Sequence, residues 1–233
     1  MTSIVTGEAA RAELQAKCPA LGAQALELLA QMYSATHLTG TDGVAEVGNT
    51  KISMLQGAVL HQLVRQTGAR RTLEIGFAYG FSTVWLLDAL PPDGRHVAID
   101  PHERSSYAGV GLRQVQALGA PAGFEWRQAF SIHALSDAIR QGECYDLVFI
   151  DGNHRYDDVL VDFYLADQVL KVGGILTLDD MWMPSVRTAV EFIATNRAYR
   201  AVQQPEANLA VFQKLADDQR DWRHYAPFAV HPA

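Results

Sequence analysis

From Arg71 onward the chain alternates short apolar runs with amphipathic stretches. Runs rich in β-branched and aromatic residues, bounded by glycine or proline, read as buried strands. They fall at 72–76, 95–100, 124–129, 145–151 and 172–179. Helical spacing lies between them, at roughly 80–90, 104–119, 131–141 and 156–170. This alternation predicts an α/β fold: a mostly parallel sheet, helices on both faces, right-handed crossovers. After Pro184 a further helix runs to about Asn196, and two short strands follow near 199–203 and 209–214. The brief QPEAN connection makes these a C-terminal antiparallel hairpin at the sheet edge, which brings the sheet to seven strands.

Ahead of the alternation, Leu14, Leu21, Ala25, Leu28, Leu29 and Met32 recur at helical spacing, which predicts two helices broken near Pro19. Residues His37–Thr50 carry Gly40, Gly43 and Gly48 with little periodicity. They read as a loop, either a lid or a solvated connector. Ile52–Thr67 returns to helix and stops at Gly68. The expected organisation is N-terminal helices and a possible lid over 1–50, a ligand-binding sheet domain over 51–214, and a tail over 215–233. The tail, with Trp222, Tyr225 and Phe228, is expected to drape over the surface or a partner.

Composition narrows the class. A net charge of −7 gives no support to nucleic-acid binding. The two cysteines, Cys18 and Cys144, form no C-x-x-C pair, which fits a reducing compartment and leaves no cysteine zinc site. The N-terminus lacks a basic start with an apolar run, and no apolar run approaches the ~20 residues of a membrane span. The expectation is a cytoplasmic protein with no membrane and no nucleic-acid partner.

Candidate chemistry gathers where strands end, since open α/β sheets bind ligands outside their carboxyl ends. RTLEIGFAYGFS reads as strand, glycine turn and helix start. Gly76 and Gly80 let a ligand lie against backbone, and the following helix offers free N–H groups. Ala78 stands where a dinucleotide motif has its middle glycine, which favours a cofactor with a small anion over a pyrophosphate. An ordinary βα turn is the bland alternative. Glu74 precedes this turn and Ser82 adds a hydroxyl after it. Asp100, at the end of the second strand, either accepts from a ribose diol or caps the next helix. Phe130 and Ser131 either meet a base or serve as core and cap.

Asp151, Asp179 and Asp180 end neighbouring strands. Such a cluster repels itself unless a cation sits in it, and hard oxygen donors favour Mg²⁺, with Ca²⁺ or Mn²⁺ as options. Helix capping is the alternative for Asp179 or Asp180. His154, three residues after Asp151, suits a general base, though a solvated loop histidine is equally ordinary chemistry. Met181, Trp182 and Met183 are either an apolar acceptor wall or core.

The stretches LEIGFAYGFSTVWL, VAIDP and FIDGNHRYDDVLVDFYLADQVLKVGGILTLDDMW resemble class I S-adenosylmethionine-dependent methyltransferases. More narrowly they are similar to the metal-dependent catechol O-methyltransferase-like group and its sugar and macrolide O-methyltransferase relatives, over roughly residues 50–214. The resemblance implies a Rossmann-like class I methyltransferase fold. It implies that Gly76, Tyr79, Gly80 and Ser82 hold the methionine half of S-adenosylmethionine and Asp100 its ribose. It implies that Asp151, Asp179 and Asp180 hold Mg²⁺. Catechol enzymes carry lysine where this chain has His154, which looks like the sugar and macrolide branch. The implied acceptor is a small molecule with a vicinal diol, catechol-like or sugar hydroxyl. Relatives imply a homo-oligomer, a dimer or larger. A nicotinamide-dependent oxidoreductase, disfavoured by Ala78, and a non-catalytic cofactor-binding or scaffolding protein stay open as alternatives.

Overall fold

The computed structural model describes residues 6–48, 50–203 and 208–231. Helices α1 (Gly7–Lys17) and α2 (Ala23–Ser34) come first, followed by strands β1 (His37–Thr39) and β2 (Val44–Glu46) and helix α3 (Met54–Thr67). The alternating part runs β3 (Arg71–Ile75), α4 (Phe81–Ala89), β4 (Arg95–Ile99), α5 (Val110–Ala117), β5 (Phe124–Arg127) and α6 (Ser131–Arg140). It continues with β6 (Tyr145–Ile150), α7 (Tyr156–Val169), β7 (Leu170–Leu178), α8 (Pro184–Asn196), β8 (Tyr199–Ala201) and β9 (Ala210–Lys214).

Seven strands form one sheet in the order β5-β4-β3-β6-β7-β9-β8. The first five are parallel, and β9 pairs antiparallel with both β7 and β8. This is the expected edge hairpin, though its connecting residues 204–207 lie outside the described part. Strand alternation sorts the core by face. Leu147 and Phe149 point to the layer with α1–α4. Val148 and Ile150 point to the layer with α6–α8. Helices therefore cover both faces, as a nearly all-apolar strand requires.

Two expectations need correction. His37–Thr50 is not a plain loop: β1 and β2 pair as a short antiparallel hairpin, Leu38 opposite Ala45. Its tip docks on the segment after β4, where Thr41 N donates to Gly109 O and Asp42 N to Ala108 O. The helix expected at 104–119 begins only at Val110. Left-handed Ala108 and Gly109 and the buried Glu103 occupy its place, and Glu103 Oε1 takes up the Leu112 amide.

The tail lies along α8. Asn196 exchanges two hydrogen bonds with the backbone of Ala226, and Phe228 packs edge-on to Phe192. Among the described residues no helix is long and apolar enough to cross a membrane.

Candidate active site

Register places the strand ends in one row. Ile75 is the partner of both Ile99 and Ile150, and Ile150 of Leu178. The residues one step further, Asp100, Gly76, Asp151 and Asp179, are therefore neighbours. The ladder continues through them: Gly76 N donates to Ile99 O, Asp151 N to Ile75 O and Asp179 N to Ile150 O. The chain order reverses direction between β3 and β6, the place where such sheets leave a crevice.

The glycine turn is built for close backbone approach. A Cβ on Gly76 would fall 2.0 Å from the Asp151 carbonyl oxygen, and its φ is 96°. Gly80, φ 77°, is the N-cap of α4 and supplies no side chain there. Ala78 also has positive φ, 44°, a strain that the surroundings must hold. Asp100 is what holds it. Its Oδ2 accepts from Phe77 N at 3.0 Å and Ala78 N at 2.9 Å, and its Oδ1 accepts from His102 N at 2.7 Å. The carboxylate thus clamps the turn and has little acceptor capacity to spare. The helix cap weighed for Asp100 is not made, because α5 starts ten residues later.

Glu74 is fully buried beneath the turn. Its Oε1 accepts from Thr83 Oγ1 and lies 3.2 Å from His96 Nε2. Its Oε2 has no partner, which leaves an acceptor at the base of the turn suited to an ammonium group. Ser82 is buried in the first turn of α4. The Tyr79 hydroxyl donates to Glu46 O at 2.7 Å, tying the hairpin to the turn. Phe130 is more than half exposed and meets the His102 ring edge-on at 5.7 Å. Ser131 faces the buried Asp162; burial pushes that carboxyl up to about 6, and Ser131 offsets part of the shift.

Across the row, Asp151, His154 and Asp180 each bring one donor atom within 4.8 Å of the others. His154 Nε2 lies 3.4 Å from Asp151 Oδ1 and 2.9 Å from Asp180 Oδ2. Asp151 first, then Asp180, push the imidazole up to about 10, against burial. Burial raises Asp151, opposed by His154 and reinforced by Asp180. Asp180 is lowered by His154. Asp179 is placed differently. Its Oδ1 accepts from Gln56 Nε2 and from Asp180 N, and burial with Asp151 nearby raises it. The structure therefore groups His154, rather than Asp179, with the other two acids. Asp151 and Asp180 offer the hard oxygen donors that a divalent cation takes, and His154 stands beside them.

Asp180 carries a φ of 58°, backbone strain at the site itself. Trp182 Nε1 donates to its Oδ1 at 2.7 Å, and Asn208 accepts from Trp182 N. Trp182 is 63% exposed, whereas Met181 and Met183 pack against the core. Met181 and Met183 thus follow the core reading, and Trp182 does not. Gln56 and Asn208 had no signal in the sequence, since each reaches the site from a distant element.

A methyltransferase-domain family model matches residues 73–181, which span the whole row. A probable caffeoyl-CoA O-methyltransferase of Arabidopsis thaliana is 27% identical over 203 residues, covering 83% of this chain and 79% of that protein. A catechol O-methyltransferase of Niastella koreensis is 28% identical over 178 residues, covering 71% and 79%. Among solved structures, the O-methyltransferase TomG of Streptomyces achromogenes, in complex with S-adenosylmethionine, superposes with a TM-score of 0.63. It is 27% identical and covers 73% of this chain and 84% of its own.

Proposed function

We propose that the chain is a class I S-adenosylmethionine-dependent O-methyltransferase like the catechol and caffeoyl-CoA enzymes it resembles, and that it methylates one hydroxyl of a small catechol-like or vicinal-diol acceptor with a divalent cation, most simply Mg²⁺. The observation that carries this reading is the convergence of Asp151, His154 and Asp180 beside the glycine turn. The names of the catechol and caffeoyl-CoA relatives favour a phenolic acceptor over a sugar.

Gly76 and Gly80 would hold the methionine part of S-adenosylmethionine, Glu74 would take its ammonium, and Phe130 and Ser131 would hold its adenosine. Asp100 serves mainly by holding the turn, and Tyr79 by closing the hairpin against it. Asp151 and Asp180 would hold the cation, with Asp179 completing or supporting the set. When bound, the cation lowers the pKa of a coordinated acceptor hydroxyl and orients it. With the charge of the two carboxylates taken up by a cation, the His154 imidazole would be neutral and would take the hydroxyl proton at Nε2. Trp182 offers an exposed face to a planar acceptor. The site is water-exposed enough for the acceptor to enter: the His154 side chain is 30% accessible and that of Asp180 26%.

Two variants separate the roles. Asp151→Ala is expected to abolish metal binding and turnover together. His154→Ala is expected to keep S-adenosylhomocysteine and metal binding but slow methyl transfer by about 10²–10⁴-fold. Wild-type turnover by His154→Ala would place the base elsewhere.

A further inference from the structure

The opposite end of the sheet carries a second site. A cavity of about 380 Å³ opens where the strands begin, lined by Arg70, Arg71, Arg95, Lys171, Asp93 and Asp146. Five-residue β3 separates it from the glycine turn by roughly 16 Å at strand rise. Four cations there face two carboxylates, on a molecule whose net charge is −7.

The two carboxylates are already committed. Asp93 pairs with Arg70. Asp146 accepts from Lys171 Nζ at 2.6 Å and from the Arg70 and Arg71 amides at 2.9 and 2.8 Å. Arg71 and Arg95 are left. They are register partners on adjacent parallel strands, so their side chains leave the same face of the sheet. Like charges directly opposite each other are unfavourable unless something lies between them. Among the described residues neither guanidinium has a carboxylate within 4.0 Å, and the buried Nε of Arg71 has no hydrogen-bond partner. The Arg71 guanidinium is instead fixed over the Tyr145 ring, 5.5 Å from its centre.

The geometry points to a binding site for a phosphate or diphosphate group at this cavity, with Arg71 and Arg95 as its principal ligands. Guanidinium forks match the paired oxygens of such anions, and a charge surplus of two suits a dianion. The site does not depend on the methyl-transfer reading, and neither arginine belongs to that machinery.

The test is calorimetric titration of the full chain, saturated with S-adenosylhomocysteine, at constant ionic strength and without divalent metal. The probes are inorganic phosphate, pyrophosphate and ADP, applied to wild type, Arg95→Gln and Arg71→Gln. Saturable pyrophosphate binding is expected, weakened about tenfold or more in each variant. S-adenosylhomocysteine affinity should be unchanged in both. ADP binding more tightly than pyrophosphate would mean that the site takes the group on a nucleoside; equal or weaker binding would mean the free anion. Arg95 is exposed, so its variant reads out binding even if Arg71→Gln folds poorly. Absence of saturable binding by all three probes, or wild-type affinity in Arg95→Gln, would overturn the assignment.

Discussion

A methyl group on Gly76 would collide with the backbone of Asp151, at a φ that side chains rarely adopt. Gly76→Ala is therefore expected to cost more than about 1 kcal/mol and to remove binding of S-adenosylhomocysteine. A thermal scan with and without that ligand reads both; a ligand-induced shift equal to wild type would contradict it. Glu103 makes a second residue-scale prediction. Burial, partly offset by the Leu112 amide and reinforced by Asp100 and Asp42, raises it from 4.5 to about 8. Between those values the folded chain keeps a proton that the unfolded chain has lost, so stability falls as pH rises. Glu103→Gln should flatten the melting temperature between about pH 5 and about pH 8 relative to wild type. An unchanged slope would show that Glu103 does not titrate there. The glycine turn was legible because backbone demands write themselves as glycine. The clamp role of Asp100 was not, because an acid at a strand end looks the same whether it faces a ligand or its own turn.

At the scale of elements, α1, α3 and α4 are pinned by one chain of polar contacts. Asp88 Oδ2 accepts from Gly22 N at 3.0 Å and lies 3.1 Å from His61 Nε2, while His61 Nδ1 lies 3.5 Å from Cys18 Sγ. Burial lowers His61, but Asp88 and Cys18 outweigh it and bring the group from 6.5 up to about 9. The stabilisation is complete below pH 6.5 and is lost as pH rises through about 9. Asp88→Asn is expected to cost about 1–3 kcal/mol at pH 6, and less at pH 9.5. Urea titrations at both values test this; equal losses would contradict it. Core strands were readable to within a residue or two, since short apolar runs such as Leu147–Ile150, bounded by turn residues, pack best as buried strands. The late start of α5 was hidden. Gly109 takes the left-handed turn before α5, but residues 104–108 carry no proline or glycine, and packing against the β1–β2 hairpin, with Arg104 paired to Asp42, holds them as turns.

For the whole molecule, strand–helix alternation announced a parallel sheet covered on both faces, and the strand order and register then aligned Asp100, Gly76, Asp151 and Asp179. What alternation could not supply was the contribution of Gln56 and Asn208, or the choice of His154 as the partner of Asp151 and Asp180. Those depend on side-chain directions at the ends of elements far apart in sequence. The tail leaves Trp222 89% and Tyr225 70% exposed. If a second copy covers them, light scattering at micromolar concentration should give a mass above 25.6 kDa. A monomeric mass would remove that proposal.

Metal-assisted methyl transfer at the Asp151–His154–Asp180 cluster is tested most directly by turnover under chelation. Purified protein is incubated with S-adenosylmethionine and a panel of catechols, flavonoids and vicinal-diol sugars, and release of S-adenosylhomocysteine is followed before and after EDTA. Turnover of the accepted substrate is expected to stop with EDTA and to return when Mg²⁺ is added in excess. Turnover that continues unchanged through chelation would contradict it.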